Sequence, residues 1–227
     1  MIEFTTFLAV DREHLRELKV VAPGWRVHRP EIWRRPMAVC IDCSVVPKDL
    51  DFLEHSNLNI FPWTLGAPSQ RAKMLASFIL LAPEVVKTPW ILKLDTDCTA
   101  ERRDDRWCGD ELVAGNPVFV ASPWGYTKPA NAIAMLDKWA NEVVPLAGKA
   151  PLNIVAQASS KLVSTPGRII SWCFFGRTDW CKWAADLCGG VPPLYSHDTY
   201  LWYVAKRSGA TFKTVKMKSF GWTHGRV

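Results

Sequence analysis

The stretch Trp90-Ile91-Leu92-Lys93-Leu94-Asp95-Thr96-Asp97-Cys98 is a short apolar run that ends in two carboxylates one residue apart. Thr88-Pro89 bounds it upstream and polar sequence follows, so 91–94 reads as a buried strand. Acids at the carboxyl end of such a strand stand where open α/β sheets bind their ligands. Side chains alternate along extended backbone, which puts Asp95 and Asp97 on one side if that geometry persists. Two like charges held so close call for a cation between them. Hard carboxylate oxygens suit a divalent ion such as Mg²⁺ or Mn²⁺, and that ion would be placed to neutralise a phosphate.

Working outward, strand and helix signals alternate. Residues 3–10 read as a strand, and Asp11-Arg12-Glu13 opens a helix to position 20. A second strand is expected over 37–45, a short helix from Pro47 to about 54, and a third strand over 58–61. Ser69 caps a helix over 70–81, whose Met74, Leu75, Phe78 and Ile79 form one apolar face. This β-α-β-α-β order predicts an α/β fold with a mainly parallel central sheet flanked by helices. Downstream, 118–122 and 168–176 read as strands, 131–144, 179–188 and 199–208 as helices, and 211–217 as a last strand. Neither an internal repeat nor a linker interrupts the chain, so a single domain over 1–227 is expected.

Composition narrows the classes. Among 227 residues, 48% are hydrophobic and 22% charged, which fits a folded globular domain and argues against disorder. The most apolar candidate span, 74–86, is interrupted by Pro83 and Glu84 and is too short to cross a bilayer. The first residues lack the layout of a signal peptide, so a cytoplasmic location is the expectation. Seven scattered cysteines form no disulfide framework, and Cys40 and Cys43 read as buried thiols rather than a zinc or redox pair. A net charge of +6 suggests an anionic partner. No nucleic-acid motif accompanies the basic groups at 26–35 and 213–218, so nucleotide phosphates or peripheral contact with a membrane surface fit as well as a polynucleotide. Twelve tryptophans are expected mostly in the core, with some available for stacking.

Four features in order resemble the GT-A fold of nucleotide-sugar-dependent glycosyltransferases, nearest to family 2-like members. Asp95-Thr96-Asp97 follows a hydrophobic strand, with a helix beginning Gln70-Arg71-Ala72-Lys73 before it. Trp172-Cys173-Phe174-Phe175-Gly176 is an aromatic segment ending in glycine, placed like the family's acceptor loop. His197-Asp198-Thr199-Tyr200-Leu201, continuing to Arg207-Ser208-Gly209, looks like the family's Glu-Asp segment with His197 in place of the glutamate. His224, in Gly221-Trp222-Thr223-His224-Gly225, matches the histidine that completes the metal site.

The resemblance implies a nucleotide-binding half over 1–100 and an acceptor-binding half over 101–227. It implies Mn²⁺ or Mg²⁺ on Asp97 and His224, with Asp95 on the ribose or a metal-bound water. Asp198 would be the general base of an inverting transfer. The turn Val10-Asp11-Arg12 would floor the nucleotide pocket, Asp42 would bond the base, and Arg71, Lys73 or Arg207 would neutralise phosphates. Trp172, Phe174, Gly176, His197 and Trp222 would line the acceptor side, with core packing the favoured reading for at least one of the three aromatics. The donor would be a nucleotide-diphosphate sugar, the acceptor a carbohydrate, lipid-linked or protein hydroxyl, and no nucleic acid is expected.

Simpler readings compete at each position. An Asp-x-Asp can be a solvated loop or a cap, and Asp198 can cap a helix starting at Thr199. An EF-hand is disfavoured by Ala100 and Arg106 where the turn glycine and bidentate acid should be. A nucleotidyltransferase would carry a glycine-rich basic turn after the first strand, whereas Leu8-Ala9-Val10-Asp11-Arg12-Glu13 has no glycine. A non-catalytic nucleotide- or carbohydrate-binding protein would give Asp95, Asp97, Asp198 and His224 no reason to converge.

Overall fold

The computed structural model describes residues 1–63, 77–123, 169–188 and 197–225, with Ala134, Asp137, Lys138 and Asn141. Seven strands form one sheet in the order β3-β2-β1-β4-β7-β6-β8. They are β1 (Phe4–Val10), β2 (Met37–Ile41), β3 (Leu58–Pro62), β4 (Trp90–Leu94), β6 (Phe119–Pro123), β7 (Ile169–Arg177) and β8 (Lys213–Thr214). β5 (Cys98–Ala100) and β9 (Trp222–His224) pair antiparallel as a separate two-stranded sheet.

The first half matches the alternation expected of it. β1 joins β2 on one side and β4 on the other, both parallel, and β2 continues parallel to β3. Every residue of β2 and β4 is buried, as interior parallel strands covered on both faces require. The chain order therefore reverses direction across the sheet at β1, with β2 to one side and β4 to the other. In open α/β sheets of this kind, ligands bind beyond the carboxyl ends of the strands at that switch point. β7 then runs antiparallel to both β4 and β6, while β8 pairs parallel to β6.

Helices cover both faces. Helix α1 (Arg12–His28) buries Leu15, Leu18, Val21, Ala22 and Trp25 against the core that holds Phe4, Leu8, Leu92 and Leu94. It runs eight residues past the expected end despite Pro23, because Pro23 faces solvent while Trp25 is fully buried. The Trp25 indole also donates to Cys98 O at 2.6 Å. Burying an aromatic of that size offsets the roughly 3 kcal/mol cost of an interior proline. The short α2 (Pro30–Arg34) follows. On the opposite face a π-helical turn, Ser77–Leu81, leads into α3 (Ala82–Val85), joined there by α4 (Thr178–Leu187) and α5 (His197–Ser208). Their buried side chains pack with Phe7, Ile91, Phe119 and Phe174 of the sheet.

Several expectations shift in detail. β2 stops at Ile41 rather than 45, because Asp42 Oδ1 accepts from the Ser44 backbone and hydroxyl and turns the chain. The expected strand over 211–217 shrinks to Lys213–Thr214 and gives way to a 3₁₀ turn at Met217–Phe220. The segment 47–53 is 3₁₀ rather than α-helical. The helices expected over 70–81 and 131–144 lie largely outside the described residues. No helix among the described residues is long and apolar enough to cross a membrane.

Candidate functional site

Two chain segments converge beyond the sheet at the carboxyl end of β4. Asp95 leaves the strand with its backbone N–H donating to Trp172 O of β7 at 2.8 Å. A tight turn, closed by Cys98 N to Asp95 O at 3.1 Å, then carries Asp97 into β5. The ladder of β5 with β9 sets Cys98 opposite His224, so the C-terminal histidine arrives directly over the two acids. Ligand atoms of Asp95, Asp97 and His224 all lie within 4.8 Å of one another. His224 Nε2 is 3.1 Å from Asp95 Oδ2 and 3.3 Å from Asp97 Oδ1.

Sequence reasoning passed over one member of the group. The Lys93 ammonium forms an ion pair with Asp95 Oδ1, so a protein cation already stands beside the acid pair. Lys93 and Asp95 are two apart on extended backbone and therefore face the same way. That spacing was readable, but a lysine inside an apolar run carries no signal of its partner. Thr96, the residue between the acids, points instead to α1, where its hydroxyl donates to Glu17.

The His224 ring is held on its other side by Trp172, stacked at 5.6 Å between centroids and 23° between planes. Burial pushes the imidazole pKa down, but the hydrogen bond with Asp95 and the charges of Asp97 and Asp95 outweigh it, leaving the net shift upward. Two carboxylates and an imidazole at this spacing make a donor set that fits a divalent cation with a preference for oxygen and nitrogen.

A buried clamp fixes β9. Arg29, fully buried at the end of α1, donates to Arg102 O at 2.6 Å, to His28 O at 2.9 Å and to Phe220 O at 2.6 Å. Its guanidinium lies 4.6 Å from the Trp222 ring centroid and 5.6 Å from that of Trp107. Trp222 in turn meets Trp25 and Trp107 edge-on at 6.3 Å and 5.3 Å. These contacts anchor the chain two residues before His224.

The remaining predicted residues divide. Asp11 caps α1, its carboxylate accepting from Glu13 N and His14 N at 2.8 Å and 2.9 Å. Val10 is buried, and Arg12, exposed, donates its backbone N–H to Ser44 Oγ at 3.1 Å. Asp11 and Asp42 thus follow Val10 and Ile41, the paired last residues of β1 and β2, and each is engaged by neighbouring backbone. Asp198 is buried in the first turn of α5, which begins at His197 rather than Thr199. It is not one of the 4.8 Å group. Arg71 and Lys73 lie outside the described residues.

The acceptor-side assignments need correction. Phe174 is fully buried between Phe78 and Phe119, and Trp222 is fully buried in the clamp, so neither offers a face for stacking. Trp172 is 5% exposed and its ring lies on His224. Gly176 stands inside β7, paired with Ile91 and Phe119, not in a loop. A Cβ there would lie 2.6 Å from Cys181 Sγ and 2.8 Å from Phe174 Cε1, so the glycine answers to packing between β7 and α4.

No family model and no curated protein matches the sequence. Solved structures do match in three dimensions. The mannosyltransferase Ktr4p of S. cerevisiae superposes with a TM-score of 0.63 at 8% identity, covering 98% of this chain and 70% of that one. Core-mannan synthase A of Aspergillus fumigatus, in an Mn/GDP form, gives 0.59 at 9% identity over 99% and 75%. The mannosyltransferase PcManGT of Pyrobaculum calidifontis, in complex with GDP-Man and Mn²⁺, gives 0.55 at 12% over 94% and 54%. A mixed sheet with four parallel ladders of six, crossed at β1 and closed by the Asp95–Asp97–His224 group, is the GT-A-type fold of glycosyltransferases.

Proposed function

We propose that this protein is a metal-dependent glycosyltransferase that moves a sugar from a nucleotide-diphosphate sugar to an acceptor hydroxyl. The observation that carries this reading is the meeting of Asp95, Asp97 and His224 at the carboxyl end of β4 in a GT-A-type fold. Asp97 and His224 would hold the ion, and the imidazole favours Mn²⁺ over Mg²⁺. When bound, the ion supplies Lewis-acid stabilisation of charge on the departing diphosphate. Asp95 presents its carboxylate beside that position, held by Lys93 and His224. Trp172 and the Arg29 clamp keep the histidine ring and its strand in place, so the ligands need little reorganisation on binding.

Asp198 is the side chain assigned to take the acceptor proton, giving inversion at the anomeric carbon. GDP is the first nucleotide to test, because two of the similar structures hold GDP or GDP-Man together with manganese.

The test is a thermal-shift and calorimetry panel of GDP, UDP and their sugars, each with and without Mn²⁺. A stabilisation that needs both metal and one nucleotide, and that Asp97→Ala abolishes, supports the reading. Absence of any metal-dependent stabilisation across the panel refutes it.

A further inference from the structure

We propose that Lys93 is a built-in counter-cation of the site: it positions Asp95 and lowers the site's negative charge by one unit, so that a metal–diphosphate unit is held in preference to the bare metal. The inference rests on the metal–nucleotide reading above. Lys93 is the next-to-last residue of β4, 8% exposed, with its register placing it between Phe7 of β1 and Phe174 of β7. Both neighbours are fully buried. An apolar side chain would fill that row at lower cost, since an ammonium taken out of water is unfavourable unless paired. Asp95 is the partner that offsets it.

The pairing leaves Asp95 engaged through both oxygens, Oδ1 by Lys93 and Oδ2 by His224 at 3.1 Å. With a neutral imidazole, two carboxylates against one ammonium leave a single net negative charge facing a divalent ion. That charge attracts a bare cation weakly. A bound diphosphate adds its own negative charge, and the Lys93 ammonium, little screened by water, then attracts the complex.

The two effects have opposite signs, which separates this role from simple support of the fold. Lys93→Met is expected to bind Mn²⁺ alone about tenfold more tightly and to bind GDP or UDP in the presence of saturating Mn²⁺ about tenfold more weakly. Both affinities are read by calorimetry, with manganese electron spin resonance as an independent measure of the bare ion. Lys93→Arg keeps the charge, and both affinities should stay within about threefold of wild type. If the methionine variant fails to fold, Lys93→Gln, which also removes the charge but keeps a hydrogen-bond donor, carries the same two-sign test.

Equal-direction losses in Lys93→Met would mean that Lys93 only supports the structure. A Lys93→Arg variant that shifts the bare-metal affinity as far as the methionine would equally overturn the charge argument. A wild type that binds no nucleotide with metal refutes the proposed function itself, whereas normal wild-type binding with same-sign losses refutes only the role of Lys93.

Discussion

His224 Nε2 lies 3.1 Å from Asp95 Oδ2, although the two residues are 129 positions apart in the chain. Neither residue reaches the other by its own side chain alone. The three-residue ladder of β5 with β9 makes the approach, and Arg29 locks that ladder to α1 through Phe220 O and the Trp222 ring. The candidate metal centre is therefore as much a property of the clamp as of its ligands.

The pH dependence follows from the His224 environment. Its folded pKa is raised above the ordinary value, net of burial, by the hydrogen bond with Asp95 and the charges of Asp97 and Asp95. Protonation therefore stabilises the metal-free fold: this contribution is complete below about pH 6.5 and is lost as pH rises through the folded pKa. Metal binding has the opposite sign, because a ligand imidazole must be neutral. Mn²⁺ affinity should climb by up to about tenfold per pH unit below the folded pKa and level off above it, with the slope gone in His224→Gln. Calorimetry between about pH 6 and pH 8.5 reads both arms, and a flat wild-type profile would contradict the assignment.

Removing the Asp97 charge without changing its shape should separate binding from folding. Asp97→Asn is expected to weaken Mn²⁺ by more than the roughly 10–100-fold that loss of an outer partner costs. The metal-free melting temperature should hold or rise slightly, since Asp97 shares His224 with a second carboxylate. Paired metal titrations and melts decide it; near-normal affinity would remove Asp97 from the ligand set.

The clamp predicts a stability loss larger than a surface arginine would give. Arg29→Met leaves three backbone carbonyls without their donor, at about 1–3 kcal/mol each if none rehydrates. A net destabilisation of about 3 kcal/mol by urea denaturation is expected, with weaker Mn²⁺ binding under conditions where the variant remains folded. Full stability would show that the guanidinium does not hold β9.

Gly176 offers a test of packing against acceptor binding. Gly176→Ala forces a Cβ to within 2.6 Å of Cys181 Sγ, and overpacking of that kind costs about 1–3 kcal/mol. The loss should appear in denaturation with nucleotide affinity unchanged. Normal stability with impaired transfer to the acceptor would restore the loop reading.

Much of the sheet was legible because its strands are long and unambiguously apolar. Trp90–Leu94 is buried at every position, and the acids that follow it had to stand at a strand's carboxyl end. The same logic exposed β1, β2, β3 and the aromatic β7. It failed for β5 and β9, whose three residues each are too few to carry a period, and it ended α1 at position 20, eight residues short. It also misjudged Trp222 and Phe174, because an aromatic in a core and an aromatic on a binding face look alike in one dimension.

Local chain chemistry settled the alternation of strand and helix, the mainly parallel sheet, and the Asp95–Asp97 pair at its switch point, since propensity and burial pattern act over a few neighbouring residues. The tertiary structure alone decided that Lys93 meets those acids and by what route His224 reaches them. Lys93 takes Asp95 through the pleat of one strand, and His224 arrives through a ladder closed from the far end of the chain. The physical reason is that charge pairing depends on distance in space, and only the packed arrangement of α1, β5 and β9 fixes that distance.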